Sequence, residues 1–161
     1  SLVTRKLMKA ISPFALGATL YMPATRDDIL DVVLGTKISD LRSLVVCLED
    51  AVAATDVESA LTNLQTLLMG IDDRGGRPEQ GPLLFVRPRH AEMAAVLNGW
   101  LLIKHVDGFV LPKLTLKSLP FWESAVSNPE KEATDSVNID FNGARIEIIT
   151  SISTTDRKSV V

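Results

Sequence analysis

Two adjacent carboxylates, Glu49 and Asp50, follow the apolar run Leu44–Leu48 (LVVCL). The run is too short for a typical helix and has no polar alternation, which is typical of a strand buried on both faces of a parallel sheet. Ligands of α/β folds bind at the carboxyl ends of such strands, so the pair predicts a site. The alternative is that Asp50 caps a helix that begins here.

Three further strand candidates end in proline or in a basic residue. They close at Met22-Pro23, at Arg87 and at Pro112-Lys113. Because the carboxyl ends of parallel strands meet at one edge of a sheet, we expect these residues to converge with the two carboxylates.

Two carboxylates beside a guanidinium suit two kinds of ligand. Carboxylates hold a hard cation such as Mg²⁺, directly or through its waters, and an arginine fork binds the carboxylate of a substrate. The alternative is a structural ion pair between Arg87 and Glu49 or Asp50. Lys113 is a weaker candidate for a Schiff-base amine, since a lysine at a strand end more often faces solvent.

The remaining titratable residues show no ligand pattern. His90 and His105 lack the HxxxH or HxH spacing of a metal site, so we interpret both as surface or loop histidines. The single cysteine, Cys47, lies within an apolar run and gives neither a disulfide framework nor a zinc cluster. A reducing compartment therefore fits best.

Composition narrows the class of protein. The chain has 161 residues, of which 46% are hydrophobic and 23% charged, as in ordinary globular proteins. A net charge of −3 without a basic stripe disfavours nucleic acid as a partner. No apolar run approaches the length of a membrane span, and no signal peptide core follows Arg5-Lys6. We expect a cytoplasmic protein that binds neither nucleic acid nor membrane.

The apolar runs predict strands that alternate with helices. Thr25 is expected to cap the first helix, and Pro120 is expected to shorten or kink the last one. Segment 70–81 is rich in Gly and charge and predicts a solvated loop. The expected strands are 15–22, 43–49, 82–87, 107–111 and 145–152, the expected helices are 26–35, 57–69, 91–103 and 116–126, and a loop or hairpin is expected at 127–143.

This alternation predicts right-handed crossovers and an α/β fold with a parallel sheet. A doubly wound sheet and a barrel both satisfy it. A receiver-like doubly wound domain is disfavoured, because Pro23 and Arg87 occupy the places where such a domain needs acidic residues. A complete barrel takes about 250 residues. We therefore expect a partial (β/α)8 TIM-type barrel, comprising the first four βα units and a fifth strand in sequential spatial order.

Four blocks of the sequence resemble a known family. LYMPATRDDIL (Leu20–Leu30), CLEDAV (Cys47–Val52), LFVRPR (Leu84–Arg89) and DGFVLPKL (Asp107–Leu114) have the order and spacing of the citrate lyase β-subunit and HpcH/HpaI aldolase family. The resemblance implies a TIM-type barrel and Mg²⁺-dependent cleavage or formation of a C–C bond. The implied substrate is a 2-oxo acid or an acyl-CoA thioester such as citryl-CoA or malyl-CoA. We expect the complete enzyme to be a homo-oligomer.

The resemblance also implies roles for individual residues. Arg87 matches the arginine that binds the oxo-acid carboxylate. Pro23 and Lys113 are further substrate-binding candidates because of their place at the neighbouring strand ends. Glu49 and Asp50 match the catalytic acidic pair beside the metal, which polarises the carbonyl and stabilises the enolate.

Some positions depart from the family pattern. Gly17-Ala18 stand where the family often has Arg-Ser, Cys47 where it often has Asp, and Arg89 where it often has Asn. These differences bear on the acyl-CoA contacts and on the substrate. The glutamate that ligates Mg²⁺ in the family corresponds to Ser153, and we expect the second acidic ligand to be absent.

We accordingly expect residues 1–155 to form the N-terminal part of a TIM-barrel lyase domain and residues 156–161 (DRKSVV) to be a non-native tail. A fifth strand without a following helix leaves an apolar face and a sheet edge uncovered, which the tail cannot repair. We expect this chain alone to lack lyase activity and measurable Mg²⁺ affinity. The competing hypothesis is a non-catalytic α/β binding domain that keeps the strand-end acids without a metal site.

Overall fold

A computed structural model describes residues 16–126 and the backbone of residues 140–141 and 144–145. In residues 16–126, strands alternate with helices as predicted. The strands are β1 (Thr19–Pro23), β2 (Ser43–Cys47), β3 (Leu83–Arg87) and β4 (Gly108–Phe109), and the helices are α1 (Ile29–Val33), α2 (Val57–Asp73), α3 (Ala91–Asn98) and α4 (Leu119–Val126). Short 3₁₀ turns cover Ala54–Asp56 and Leu101–His105.

The four strands form one parallel sheet in the order β1-β2-β3-β4. Sequential order is that of a barrel, whereas a doubly wound sheet reverses its order part-way. The expectation of a partial TIM-type barrel is therefore confirmed over these four units, and the doubly wound alternative is wrong. Register places Pro23, Cys47 and Arg87 side by side at the carboxyl ends of the first three strands.

The two faces of the sheet bury different residues. Met22, Val46 and Val86 belong to a large cluster that includes the helical residues Leu64 and Leu97. On the opposite face, a small cluster contains Leu16, Val45, Phe85 and Val110. Because side chains alternate along a strand, the second face carries every other strand residue. In a (β/α)8 barrel this is the interior face.

The first helix begins later than predicted. Helix α1 starts at Ile29, and its N-cap position, Asp28, makes no side-chain capping bond. The Asp28 carboxylate instead accepts hydrogen bonds from Arg26, at 2.7 Å from Nε and 2.6 Å from Nη2, and from Lys37. The predicted Thr25 cap is wrong. Arg26 and Lys37 hold the Asp28 carboxylate just before the first helical residue, so the connection between β1 and α1 is longer than predicted.

Three other boundaries differ from the sequence pattern. Helix α2 continues to Asp73, because Ile71 still buries its side chain in the core. The predicted helix 91–103 is divided into α3 and a 3₁₀ turn by Gly99-Trp100. Helix α4 starts at Leu119, so Pro120 lies in the first turn, where a missing amide hydrogen costs little. The expected shortening at Pro120 is confirmed.

The beginning of the predicted fifth strand does not extend the parallel sheet. Ala144–Arg145 pairs antiparallel with Asp140–Phe141 in a separate two-stranded sheet. A hairpin was one of the two forms expected for the segment just before it. The rest of the predicted strand, the position Ser153 and the tail 156–161 lie outside the described residues, as does the segment 1–15.

Asp107 ties two strands together at the amino end of the sheet. Its carboxylate accepts hydrogen bonds from Arg77 Nη2 at 2.6 Å and from the Leu84 amide at 2.8 Å. Arg77 also donates to the Pro82 carbonyl at 2.9 Å. The Arg77 and Asp107 side chains are 19% and 14% exposed. This pair therefore fixes the entry to β3 against the entry to β4.

We expect Asp107→Ala to lower the free energy of unfolding by about 2 kcal/mol, because Arg77 and the Leu84 amide lose a mostly buried charged acceptor. Chemical denaturation measures this change. Asp27→Ala, at an exposed position, is the control and should change stability by less than about 0.5 kcal/mol. Equal losses in the two variants would contradict the role given to Asp107.

Candidate active site at the strand ends

The acidic pair lies in the turn that directly follows β2. The Leu48 amide donates to the Arg87 carbonyl at 2.9 Å, and the Val52 amide donates to the Glu49 carbonyl at 3.1 Å. Helix α2 does not begin until Val57. The alternative in which Asp50 caps a helix is therefore wrong, and the pair occupies the strand-end position that the apolar run predicted.

Glu49 is the centre of the site. Its side chain is 8% exposed, with Oε2 at 3.2 Å from Arg87 Nη2 and Oε1 at 2.7 Å from Lys113 Nζ. A carboxylate after β2 thus binds one cation from the end of β3 and another from the turn after β4. Glu49, Asp50, Arg87 and Lys113 are called the strand-end cluster below. The ion pair considered as a structural alternative for these residues is present.

Asp50 is the solvent-facing member of the strand-end cluster. Its side chain is 67% exposed and lies 3.8 Å from Arg87 Nη2 and 3.6 Å from Lys113 Nζ. Hydrogen bonding with Glu49, aided by the charges of Lys113 and Arg87, holds the pKa of the Asp50 carboxyl below its usual value. Asp50 is therefore ionised at neutral pH, and the cluster contains two carboxylates and two cations.

Lys113 reaches Glu49 from an unusual backbone conformation. Its φ is 51°, in the left-handed region that few residues other than glycine adopt. The hydrogen bond and the charge of Glu49 raise the pKa of the Lys113 ammonium above its ordinary value. A Schiff base needs the neutral amine, so this geometry argues against that chemistry at Lys113.

Arg87 retains unused hydrogen-bonding capacity. Its side chain is 20% exposed, and Nη2 contacts both carboxylates of the cluster. Nε is buried and has no hydrogen-bond partner among the described residues. Since a buried donor without a partner is uncommon in a native protein, Nε marks a place where a ligand oxygen would be favourable.

Pro23 borders the cluster without offering a side-chain polar group. It lies level with Cys47 in the sheet, and its carbonyl accepts a hydrogen bond from the Arg26 amide at 3.1 Å. Its role in binding substrate stays a prediction, and its side chain offers no hydrogen-bonding group for it.

Two side chains that support the strand-end loops were not predicted as structural. Arg89 Nη1 donates to the carbonyls of Leu48, Glu49 and Val52 at 3.2, 3.2 and 2.9 Å. In the sequence, Arg89 is a departure from the family pattern that bears on the substrate. Its contacts instead give it a role in holding the loop that carries Glu49 and Asp50. No sequence signal indicates such bonds, because they depend on the path of the loop.

The loop after β1 is held in a similar way. Asn63, on α2, donates from Nδ2 to the carbonyls of Ala24 and Arg26, both at 2.6 Å. A polar residue on an otherwise regular helix gives no warning of this contact. The loops after β1 and β2 are thus fixed by side chains from elsewhere in the chain.

The two histidines lie away from the cluster. His90 Nδ1 accepts a hydrogen bond from the Met93 amide at 3.1 Å and caps α3. His105 Nε2 lies 2.7 Å from Asp72 Oδ1, within hydrogen-bonding distance near the end of α2. The interpretation as a surface residue agrees with the exposed side chain of His90, but it is wrong for His105, whose side chain is mostly buried at the end of a 3₁₀ turn.

The described residues alone do not fit a directly coordinated Mg²⁺. Within residues 16–126, no three His, Cys, Asp or Glu side chains come together as metal ligands. Both oxygens of Glu49 already bind cations of the chain. Ser153, the position at which the family resemblance puts a glutamate ligand, lies outside the described residues. Among the helices that the structure describes, none is long and apolar enough to cross a membrane.

The sheet order defines part of a barrel of the TIM type, with a charged cluster at the strand ends. A family model described as a C–C bond lyase of the TIM-barrel fold matches residues 10–139. The chain belongs to this lyase family. A comparison with curated proteins found no match. The resemblance noted in the sequence is thereby supported at the level of a C–C lyase family.

We expect Arg89→Ala to lower the free energy of unfolding by about 2 kcal/mol, because three carbonyls lose a charged donor. Amide exchange at Val52 should also become faster. Arg74→Ala is the matched control, since Arg74 is exposed and its guanidinium donates to one carbonyl, that of Gly70. Denaturation and hydrogen exchange measure both variants, and indistinguishable results would remove Arg89 from this role.

We expect pyruvate and borohydride to leave Lys113 unmodified at neutral pH, because its amine is held protonated by Glu49. Mass spectrometry of the treated protein measures this. Glu49→Gln is the comparison, since loss of the carboxylate lowers the pKa of Lys113 and makes the amine more reactive. A stoichiometric adduct on Lys113 of the unaltered chain would restore the Schiff-base hypothesis.

Proposed function

We propose that the chain belongs to a domain that catalyses Mg²⁺-dependent cleavage or formation of a C–C bond, as in the citrate lyase β-subunit and HpcH/HpaI aldolase family. The proposed substrate is a small 2-oxo acid or an acyl-CoA thioester. The observation that carries this proposal is the strand-end cluster, in which Glu49 gathers Arg87 and Lys113 at the strand ends. Membership of a C–C lyase family supports the reaction class.

The cluster suits the binding of a carboxylate. Arg87 has an unpartnered Nε, and the Lys113 side chain is 68% exposed. Both cations can therefore donate to a ligand without leaving Glu49. An anion bound here gains charge-assisted hydrogen bonds in a partly desolvated place, where they are stronger than in water.

The two carboxylates have different parts in this proposal. Glu49 is buried between two cations, so its role is to hold Arg87 and Lys113 in position. Asp50 is exposed and farther from both cations, so it is the carboxylate accessible to a substrate hydroxyl. The low pKa of Asp50 makes it a weak base, so the role proposed for it is to accept a hydrogen bond from that hydroxyl and orient it.

Mg²⁺ belongs to the proposal through the family resemblance. The described residues do not fit the ion alone, so ligands would have to come from outside them, with Ser153 at the family position. When bound, the ion would polarise the substrate carbonyl. The roles given above to Arg87, Lys113, Glu49 and Asp50 do not depend on it.

A non-catalytic α/β binding domain is the second candidate function. It is favoured by Glu49, both of whose oxygens are engaged by cations of the chain, and by a hydroxyl residue at the family's glutamate position. Incubation with malyl-CoA or citryl-CoA and Mg²⁺, followed by mass spectrometry for acetyl-CoA, separates the two. Binding of a 2-oxo acid without any acetyl-CoA would favour the binding domain.

We also propose a cytoplasmic setting and a homo-oligomeric complete enzyme. Cys47 is a buried free thiol, which suits a reducing compartment. A net charge of −3 gives no support for a nucleic-acid partner.

Arg87→Lys is expected to weaken pyruvate binding about tenfold, because an ammonium cannot reproduce the two-pronged contact of a guanidinium with a carboxylate. Isothermal titration calorimetry with pyruvate measures this. Arg26→Lys is the matched control, since Arg26 pairs with Asp28 on the surface and is 52% exposed. Unchanged affinity in Arg87→Lys would exclude Arg87 from the binding site.

A further inference from the structure

Tyr21 lies on the same face of the sheet as Arg87. On β1, its neighbour Met22 packs into the helix-side core, so Tyr21 faces the opposite, interior side. Tyr21 pairs in register with Val45, and Val45 pairs with Phe85. Val45 and Phe85 both belong to the small interior cluster. The phenol therefore projects from the interior face, just below the level of the strand ends.

The strand between Tyr21 and Arg87 allows the two side chains to approach. On this face, β2 carries Val45 and Cys47 between the two residues. Both side chains are small, so the Tyr21 phenol and the Arg87 guanidinium can extend over them. Burial raises the pKa of Tyr21, while the positive charge of Arg87 opposes that rise. Arg87 is therefore within electrostatic range, and the phenol is protonated at neutral pH.

Both side chains have donors without partners. The Tyr21 hydroxyl makes no hydrogen bond within residues 16–126, and the residue is 39% exposed. Arg87 Nε is also without a partner there. Two donors on one face of the sheet suit a ligand that carries more than one oxygen.

We propose that Tyr21 is a ligand-binding residue of the strand-end site, whose hydroxyl donates a hydrogen bond to the oxo oxygen of a 2-oxo acid while Arg87 binds the adjacent carboxylate. This inference rests on the proposed function and specifies its substrate class. It gives Tyr21 the role of distinguishing a 2-oxo acid from a simple carboxylic acid, because only the former supplies an oxygen for the phenol.

The test compares pyruvate with propionate, which lacks the 2-oxo group. Calorimetry is performed on the unaltered chain, on Tyr21→Phe and on the control Thr62→Val, which removes a hydroxyl from the exposed face of α2. Tyr21→Phe should weaken pyruvate binding about fivefold, the worth of one hydrogen bond, and leave propionate binding unchanged. Thr62→Val should alter neither affinity.

The outcomes separate this inference from the proposed function. If Arg87→Lys weakens pyruvate binding but Tyr21→Phe does not, the role of Tyr21 is overturned and the proposed function stands. Absence of pyruvate binding by the unaltered chain would overturn the 2-oxo acid substrate class, and the role of Tyr21 with it.

A second measurement needs no ligand. The chain has one tyrosine, so its alkaline absorbance change reports the ionisation of Tyr21 alone. Arg87→Met should raise the midpoint of that change, because a neighbouring positive charge is lost, whereas Arg26→Met should not. An unchanged midpoint in Arg87→Met would overturn the proximity on which the inference depends.

Discussion

The burial of the Glu49 carboxylate between two cations is the interaction on which the strand-end site depends. A charged group taken from water costs several kcal/mol unless it is paired and hydrogen-bonded. Glu49 meets this requirement with Arg87 at 3.2 Å and Lys113 at 2.7 Å. Because these cations come from β3 and from the turn after β4, the ion pairs join the ends of three strands. Lys113 makes its ion pair with Glu49 from a left-handed backbone conformation.

The loops around Glu49 are held by a second set of contacts, from side chains to carbonyls. Arg89 binds the acidic loop, and Asn63 binds the loop after β1. Backbone carbonyls in a connecting loop have no ladder partner, so a guanidinium or amide that reaches them removes a cost of ordering the loop. The site is thus a buried charge in a frame that other elements keep fixed.

Much of the fold, and the meeting of charged side chains at the strand ends, could be predicted from the sequence. Unbroken apolar runs such as Leu44–Leu48 mark strands buried on both faces, and their ends lie at one edge of the sheet. The Thr25 cap failed, because the charges around Asp28 decide the start of α1 and a propensity rule cannot include them. Arg89 and Asn63 could not be recognised, since their acceptors are set by the course of the loops. Tyr21 was missed because its face depends on register.

The strand-end cluster has a consequence for charge balance. Its two carboxylates and two cations sum to zero, so a monoanionic ligand entering alone leaves the pocket with an excess of one negative charge. Proteins resist such an excess in a partly buried place by taking up a counter-charge. A single positive charge taken up with the ligand, such as a proton, returns the sum to zero. The neutral sum of the cluster therefore links the binding of a monoanion to the uptake of one positive charge.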